Sequence, residues 1–250
     1  MLKKIDPRGS KSLNKKKIKQ ENEKLIEKIA SLQKILFAEE KRSILLILQG
    51  LDASGKDGTV RTIFSGINPL GCQVHSFKKP TEEEFAHDFL WRVHKIVPKK
   101  GMIHIFNRSH YEDILVPTVE GYYTPKRIKE RYTHINNFER LLEDSGTIII
   151  KCYLHISKQE QLERLTERIN NPTKHWKHND GDWESRKKWN SYMQVYETIF
   201  DQCNRVPWHI IPADRNWVKI NTVSKILLKA LEDLDLKCPE LSSEKFASKK

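Results

Sequence analysis

Hydrophobic positions along the chain follow two alternating patterns. Short apolar runs bounded by polar or turn residues predict buried strands. They fall at Ser43–Gln49 (SILLILQ, followed at once by a glycine), 72–77, 102–107, 147–156 and 208–213. Between them, apolar residues recur every three or four positions, the period of a helix with one buried face. Leu25, Ile29, Leu32 and Leu36 define such a helix over 21–42. Another begins at Lys56. A third covers 81–97, with Phe85, Phe89 and Val93 on one face and Thr81, followed by Glu84, as its cap. Ile128, Tyr132, Ile135, Phe138 and Leu142 line a helix over 124–144, with Pro125 in its first turn and Gly146 past its end. Helices over 157–170, 182–204 (Trp189, Met193, Tyr196 and Phe200 inward) and 216–234 complete the series. The stretch 171–181 is polar and turn-rich.

Strands alternating with helices predict an α/β domain, here a three-layer fold with a five-stranded parallel sheet flanked by helices. That domain covers 43–234. A basic N-terminal arm and helix over 1–42 precede it, the first 20 residues reading as mobile, and 235–250 reads as a disordered tail. The apolar runs are too short to cross a bilayer, and the N-terminus lacks the apolar stretch of a secretion signal. Cys72, Cys152, Cys203 and Cys238 are dispersed, without zinc-binding spacing. The expectation is a soluble cytoplasmic protein. Charge narrows its partners: 45 Lys and Arg against 33 Asp and Glu give a net charge of +12, which asks for an anion.

Ligands of parallel α/β sheets bind beyond the carboxyl ends of the strands. The polar motifs of this chain fall there. Gly50, Gly55 and Lys56 fit the phosphate-loop pattern G-x-x-x-x-G-K between a strand and a helix. Such a loop turns backbone N–H groups toward an anion, and the helix N-terminus and the lysine add positive charge. Gly50, Ala53, Ser54, Gly55, Asp57 and Gly58 are its candidate phosphate contacts. The usual Ser or Thr after the lysine is replaced by Asp57, and a second carboxylate, Asp52, lies within the loop. Asp52 reads as a Mg²⁺ ligand, as the group that orients an attacking phosphate oxygen, or as a turn-stabilising side chain. Arg108, at a strand end, faces the phosphates. Arg164 and Arg168 share a helix face, and Lys174 and Lys177 follow in the turn-rich stretch. The pair of histidines His175 and His178 lacks a third ligand and does not make a metal site.

Four segments together resemble the polyphosphate kinase 2 family: GLDASGKDGT over 50–59, FNRSHYED over 106–113, INNFE over 135–139 and PADRNW over 212–217. The resemblance implies a P-loop kinase-like fold and phosphoryl transfer, with Mg²⁺ (Mn²⁺ substituting), between inorganic polyphosphate and nucleotides. The runs KKPTEEE over 78–84 and NRSHYED over 107–113 resemble the subgroup that accepts both AMP and ADP, giving ADP and ATP, and the reaction is expected to reverse. On this resemblance Asp52, Lys56, Asn107 and Arg108 are catalytic. Lys78, Arg164, Arg168, Lys174 and Lys177 hold phosphates, the latter four in a lid over 157–188. Arg92, Glu112, Asp113, Arg131, Asp214 and Trp217 hold the nucleotide, and Asp52 and Asp113 hold the metal. Many family members carry Asp where this chain has Asn107, so Glu112 or Asp113 is left to supply that charge. The family also implies a homo-oligomer, a tetramer. Two other readings compete: an ATP-dependent nucleoside monophosphate kinase, disfavoured by the missing Ser or Thr after Lys56, and a basic nucleic-acid-binding protein, for which no recognition motif appears.

Overall fold

Five strands, β1 (Ser43–Gln49), β2 (Cys72–Ser76), β3 (Ile103–Asn107), β4 (Thr147–His155) and β5 (Trp208–Pro212), form one parallel sheet in the order β2-β3-β1-β4-β5. The structure is a computed structural model, and it describes residues 2–241, 243 and 246. All seven residues of β1 are buried, as expected of a central parallel strand covered on both faces. Its register pairs Leu48 with Asn107 of β3 and with Cys152 of β4. Because β3 and β4 lie on opposite sides of β1, the crevice beyond its carboxyl end is where the strand order reverses. Open α/β sheets bind ligands at such a point.

The helices are α1 (Lys15–Glu39), α2 (Lys56–Ile63), α3 (Glu82–Ala86), α4 (Trp91–His94), α5 (Glu112–Glu120), α6 (Pro125–Asp144), α7 (Lys158–Asn170), α8 (Asp180–Lys187), α9 (Trp189–Gln202) and α10 (Asn216–Glu232). Among the described residues, no helix is long and apolar enough to span a membrane.

Three expectations change. The first 20 residues are not a free arm. Leu2 is 2% exposed and donates its backbone N–H to Glu197, Asp214 donates its own to Pro7 O, and Asn14 caps α1 from Lys15 onward. The helix expected over 81–97 is two short ones. Thr81 and Glu84 form the expected capping box, but Asp88 turns back to accept from Leu90 N–H, and the chain leaves helical geometry at His87. Phe85, expected inward, is consequently exposed. The helix expected over 182–204 breaks at Lys188, with α8 capped by Asn179. The expected tail lies partly outside the described residues.

One polar cluster is sealed inside the apolar core. Lys151 of β4 and Glu139 of α6 are both fully buried, with Nζ 2.8 Å from Oε2. Lys151 also donates to Tyr111 Oη (2.9 Å) and Cys203 O (2.9 Å), and Tyr111 donates to Glu139 Oε1 (2.6 Å). Burial opposes ionisation of Glu139, but His110 and Lys151 hold its carboxyl below the ordinary carboxylate range. The cluster ties the segment after β3 to α6 and β4. Removing one partner leaves an uncompensated buried charge, so Glu139→Gln is expected to lower the unfolding free energy by about 3–5 kcal/mol. Denaturant titration measures this, and the added change Lys151→Met should recover much of the loss.

Candidate active site

The turn from β1 to α2 is built by positions that tolerate left-handed backbone. Gly50 has φ +150°, and a Cβ there would lie 2.9 Å from Leu154 O, a backbone atom that cannot yield. Gly55 has φ +91° and precedes the first residue of α2. In the chain curled this way, a side chain receives each carbonyl from Gly50 to Ser54. Lys56 Nζ donates to Gly50 O (2.7 Å) and Leu51 O (3.2 Å). Gln161 donates to Asp52 O (3.0 Å) and Arg164 to Ala53 O (2.9 Å), both from α7. Lys219 of α10 donates to Ser54 O (3.2 Å). Burial, helped by the charge of Arg108, pushes Lys56 down to about 8, against the opposing pull of Asp52, Glu112 and Asp57.

The segment after β3 supplies the facing wall. Arg108 has φ +63° and donates its N–H to Leu48 O, which turns its side chain back over the loop. Its guanidinium bridges Asp52 and Glu112, the latter at 3.1 Å. The nearby Glu112 charge raises the Arg108 pKa further, against burial, with Asp52 adding to the effect. Asn107 donates to Asp57 Oδ1 (2.6 Å). An ionised aspartate at 107 could not donate this hydrogen bond; the amide supplies it.

Asp52, Lys56, Asp57, Asn107 and Arg108 line a cavity of about 570 Å³, which Arg61, Arg164, Arg168, Lys174, Lys177 and Lys219 make strongly cationic. Across it, Arg168 is latched to Asp182 (2.6 Å) and to Lys177 O (3.1 Å), and Lys174 pairs with Glu167. Burial, with Asp52 nearby, raises the pKa of Asp182. Trp176, 77% exposed, is anchored by its indole N–H to Thr173 O.

A second cavity, about 420 Å³, lies on the other side of the same motif. Arg92 and Arg131 converge there on Asp113: Arg92 at 2.9 Å on the carboxylate, Arg131 on its backbone carbonyl. Arg131 stands over the rings of Phe89 (4.4 Å) and Tyr123 (4.5 Å), and Arg127 over Tyr123 (4.3 Å). Burial raises the pKa of Asp113 against the pull of both arginines.

The structure therefore brings together most of the residues singled out in the sequence, in two groups. Asp52, Ala53, Gly55, Lys56, Asp57, Gly58, Asn107, Arg108, Arg164, Arg168, Lys174 and Lys177 line the first cavity, with Gly50 and Ser54 shaping its loop. Arg92, Asp113 and Arg131 line the second; Glu112 lines neither and pairs with Arg108. Other expectations are not met. Asp113 lines the second cavity and is held by two arginines, so it does not join Asp52 as a metal ligand. Lys78 is exposed and lines neither cavity; its carbonyl accepts from Arg92. Asp214 does not face a nucleotide cavity but accepts from Ser157 N–H at the start of α7. Trp217 also lines neither cavity, and its carbonyl accepts from Asn22 of α1. Arg164 is largely spent on protein oxygens: Glu160, Ala53 O, Ala213 O and Asp214 O. Sequence reasoning missed Gln161, Asp182 and Lys219, which no motif marks.

The carboxylates that line the first cavity are Asp52, Asp57, Glu167 and Asp182, and no three acidic, His or Cys side chains cluster as a metal cage among the described residues. That donor set fits Mg²⁺, which binds through one or two carboxylates and completes its shell with phosphates and water. Asp52, inside the phosphate loop, is the residue suited to hold it.

A family model described as polyphosphate kinase 2 matches residues 12–239. An AMP/ADP-polyphosphate phosphotransferase of Meiothermus ruber is 48% identical over 223 residues, 88% of this chain and 84% of that protein. An ADP-polyphosphate phosphotransferase of Rhodopseudomonas palustris is 40% identical, over 86% of this chain and 79% of that protein. The crystal structure of polyphosphate kinase 2 from Arthrobacter aurescens TC1 superposes with a TM-score of 0.95 at 39% identity, covering 98% of this chain and 89% of that one.

Two of the three glycines of the loop region give a contrast that tests its construction. At Gly50 an added methyl meets backbone 2.9 Å away, whereas at Gly58, inside α2, it meets nothing within 4 Å. Gly50→Ala should destabilise the fold by about 2 kcal/mol or more, through strained backbone and overpacking. Gly58→Ala should stabilise it by about 0.4–1 kcal/mol. Denaturant midpoints of the two variants check both signs.

Proposed function

This chain belongs to the polyphosphate kinase 2 family, and from that membership we propose that it moves the terminal phosphoryl group of inorganic polyphosphate to AMP and to ADP, and back. The observation that carries this reading is the pairing of cavities. A cationic one suits a long polyanion, and one lined by aromatic rings and arginines suits a nucleotide. Successive residues at the N-terminus of α5 serve them: Glu112 pairs with Arg108 of the first, and Asp113 lines the second. The +12 charge fits the same donor.

In this reading an oxygen of the acceptor's terminal phosphate attacks the end phosphorus of the polyphosphate chain. The new P–O bond forms as the bond to the next phosphate breaks, and the shortened chain leaves with that electron pair. The acceptor oxygen is already anionic near neutral pH, so the protein's task is positioning and charge neutralisation. The N–H groups of the loop and Lys56 hold phosphate oxygens. Arg108, now bridging two carboxylates, is placed to take the transferring group between the cavities. Arg168, Lys174 and Lys177 form the lid side that clamps the donor and excludes water. Mg²⁺, or Mn²⁺ in its place, bound at Asp52 would supply positive charge where donor and acceptor phosphates meet. Arg92 and Arg131 orient the acceptor. We also propose an assembly of four copies. The open edge of the sheet at β2, where Leu70 and Val74 are exposed, supports an assembly, and light scattering gives its mass.

The function is tested by incubating the protein with Mg²⁺, polyphosphate and either AMP or ADP, then resolving the nucleotides by chromatography. ADP and ATP should accumulate, and excess EDTA should stop both; undiminished turnover in EDTA overturns the metal's part. Asp52→Asn keeps the size of the side chain but removes its charge, and should lower kcat by roughly 10²-fold or more with little change in melting temperature. Near-normal kcat would return Asp52 to a purely structural role. Arg131→Ala should raise KM for AMP and ADP by about 10-fold or more and leave KM for polyphosphate nearly unchanged.

A further inference from the structure

Lys219 is 1% exposed, yet its ammonium floors the first cavity. Its acceptors are two neutral oxygens, Ser54 O at 3.2 Å and Asn216 Oδ1 at 2.9 Å. Among the described residues no carboxylate forms an ion pair with it. A buried ammonium in that position has lost its hydration without gaining a counter-ion, which is costly unless an anion arrives. Gly55 is fitted to it: a Cβ at that residue would sit 2.1 Å from Lys219 Nζ, so the absent side chain leaves the space that the ammonium fills. The same point is 3.4 Å from Arg164, so two cations converge under the loop.

We propose that Lys219 is a positioning residue of the phosphoryl transfer, whose ammonium holds the Ser54 carbonyl out of the cradle and finds its counter-charge only when a phosphate chain lies over the loop. The inference rests on the polyphosphate reading of the first cavity. It adds a proton to the binding event. Burial, then the charges of Arg164 and Lys56, push Lys219 down to about 7, with Glu160 opposing. On the α1 side Glu21 is engaged by Lys225 and Asn221, and on β4 burial lowers the pKa of His155, with Asp214 opposing. A polyanion above the loop favours the charged form of Lys219, so binding draws a proton from solvent. The sign follows: polyphosphate binds most tightly below the free-state value of about 7 and more weakly as pH rises above it.

The test compares the full chain with Lys219→Met, which has no charge, and Lys219→Arg, which keeps it at every accessible pH. Calorimetric titration with long-chain polyphosphate, at about pH 8 in buffers of different ionisation heat, counts the protons taken up. Lys56 titrates in the same range and its charge acts on Lys219, but Lys219→Arg keeps the charge beside it, so the comparison with that variant isolates Lys219. The unmodified protein should take up ~0.5 proton more than either variant. Lys219→Met should raise KM for polyphosphate by about 10-fold with a smaller change in kcat, and Lys219→Arg should restore KM while flattening its rise with pH. Equal proton uptake in the three proteins, or an unchanged KM in Lys219→Met, overturns the proposal. If circular dichroism shows that Lys219→Met does not fold, the proton count of Lys219→Arg decides alone. Polyphosphate that fails to bind the unmodified protein overturns the functional reading and this inference with it. Binding with unchanged proton counts overturns only this one.

Discussion

A loop can present its N–H groups to an anion only if its carbonyls are satisfied elsewhere, and that constraint organises the site. From Gly50 to Ser54 each carbonyl is received by a side chain: Lys56 for two of them, then Gln161, Arg164 and Lys219. An unpaired buried carbonyl costs about 1–3 kcal/mol, so a loop left without these donors would turn its peptides over and lose its concave face. Most of the donors are cationic. They therefore fix the peptide geometry and set the sign of the potential in the cavity with the same atoms.

The sheet supplies the rigid frame for this arrangement. β1 is buried along its whole length, and β3 and β4 pair with it on either side, so the loops after β1 and β3 emerge next to each other. The buried Lys151–Glu139 pair then anchors the segment after β3 through Tyr111, close to Arg108 in the chain. Arg108 thus combines a strained backbone with an anchored neighbourhood, which suits a residue that must aim two N–H groups at once.

The phosphate loop was legible because its chemistry is local: glycines and a lysine at fixed spacing between a strand and a helix. The same holds for the alternation of strands and helices, and for the capping box at Thr81. What was not legible depends on direction and on distant partners. Glu112 and Asp113 are adjacent in sequence, yet about 100° apart around a helix, which sends Glu112 to Arg108 and Asp113 to the second cavity. In sequence either could supply the charge missing at Asn107; the helix separates them. The breaks at His87 and Lys188 lack proline or glycine and arise from local turns that periodicity does not register. Lys219 looked like any lysine of an amphipathic helix, because only the docking of α10 brings it beneath Gly55. Asp214 and Trp217 follow a strand, as ligand residues often do, but their contacts are with α7 and α1.

The donors that hold the loop's carbonyls come from widely separated parts of the chain: residue 56, then 161 and 164, and finally 219. Every residue of the phosphate motif itself is present once the first quarter of the protein has been made. The cradle is nevertheless incomplete until the last helix has docked, because Ser54 O has no partner before then. During synthesis the long nascent chain therefore carries the motif without the geometry. Completion of the anion site during synthesis waits on contacts of high sequence separation. A shortened product that ends before α10 would keep each motif residue and still lack the formed site, so the integrity of the carboxyl-terminal helix acts as a check on whether a finished molecule can meet its polyanion at all.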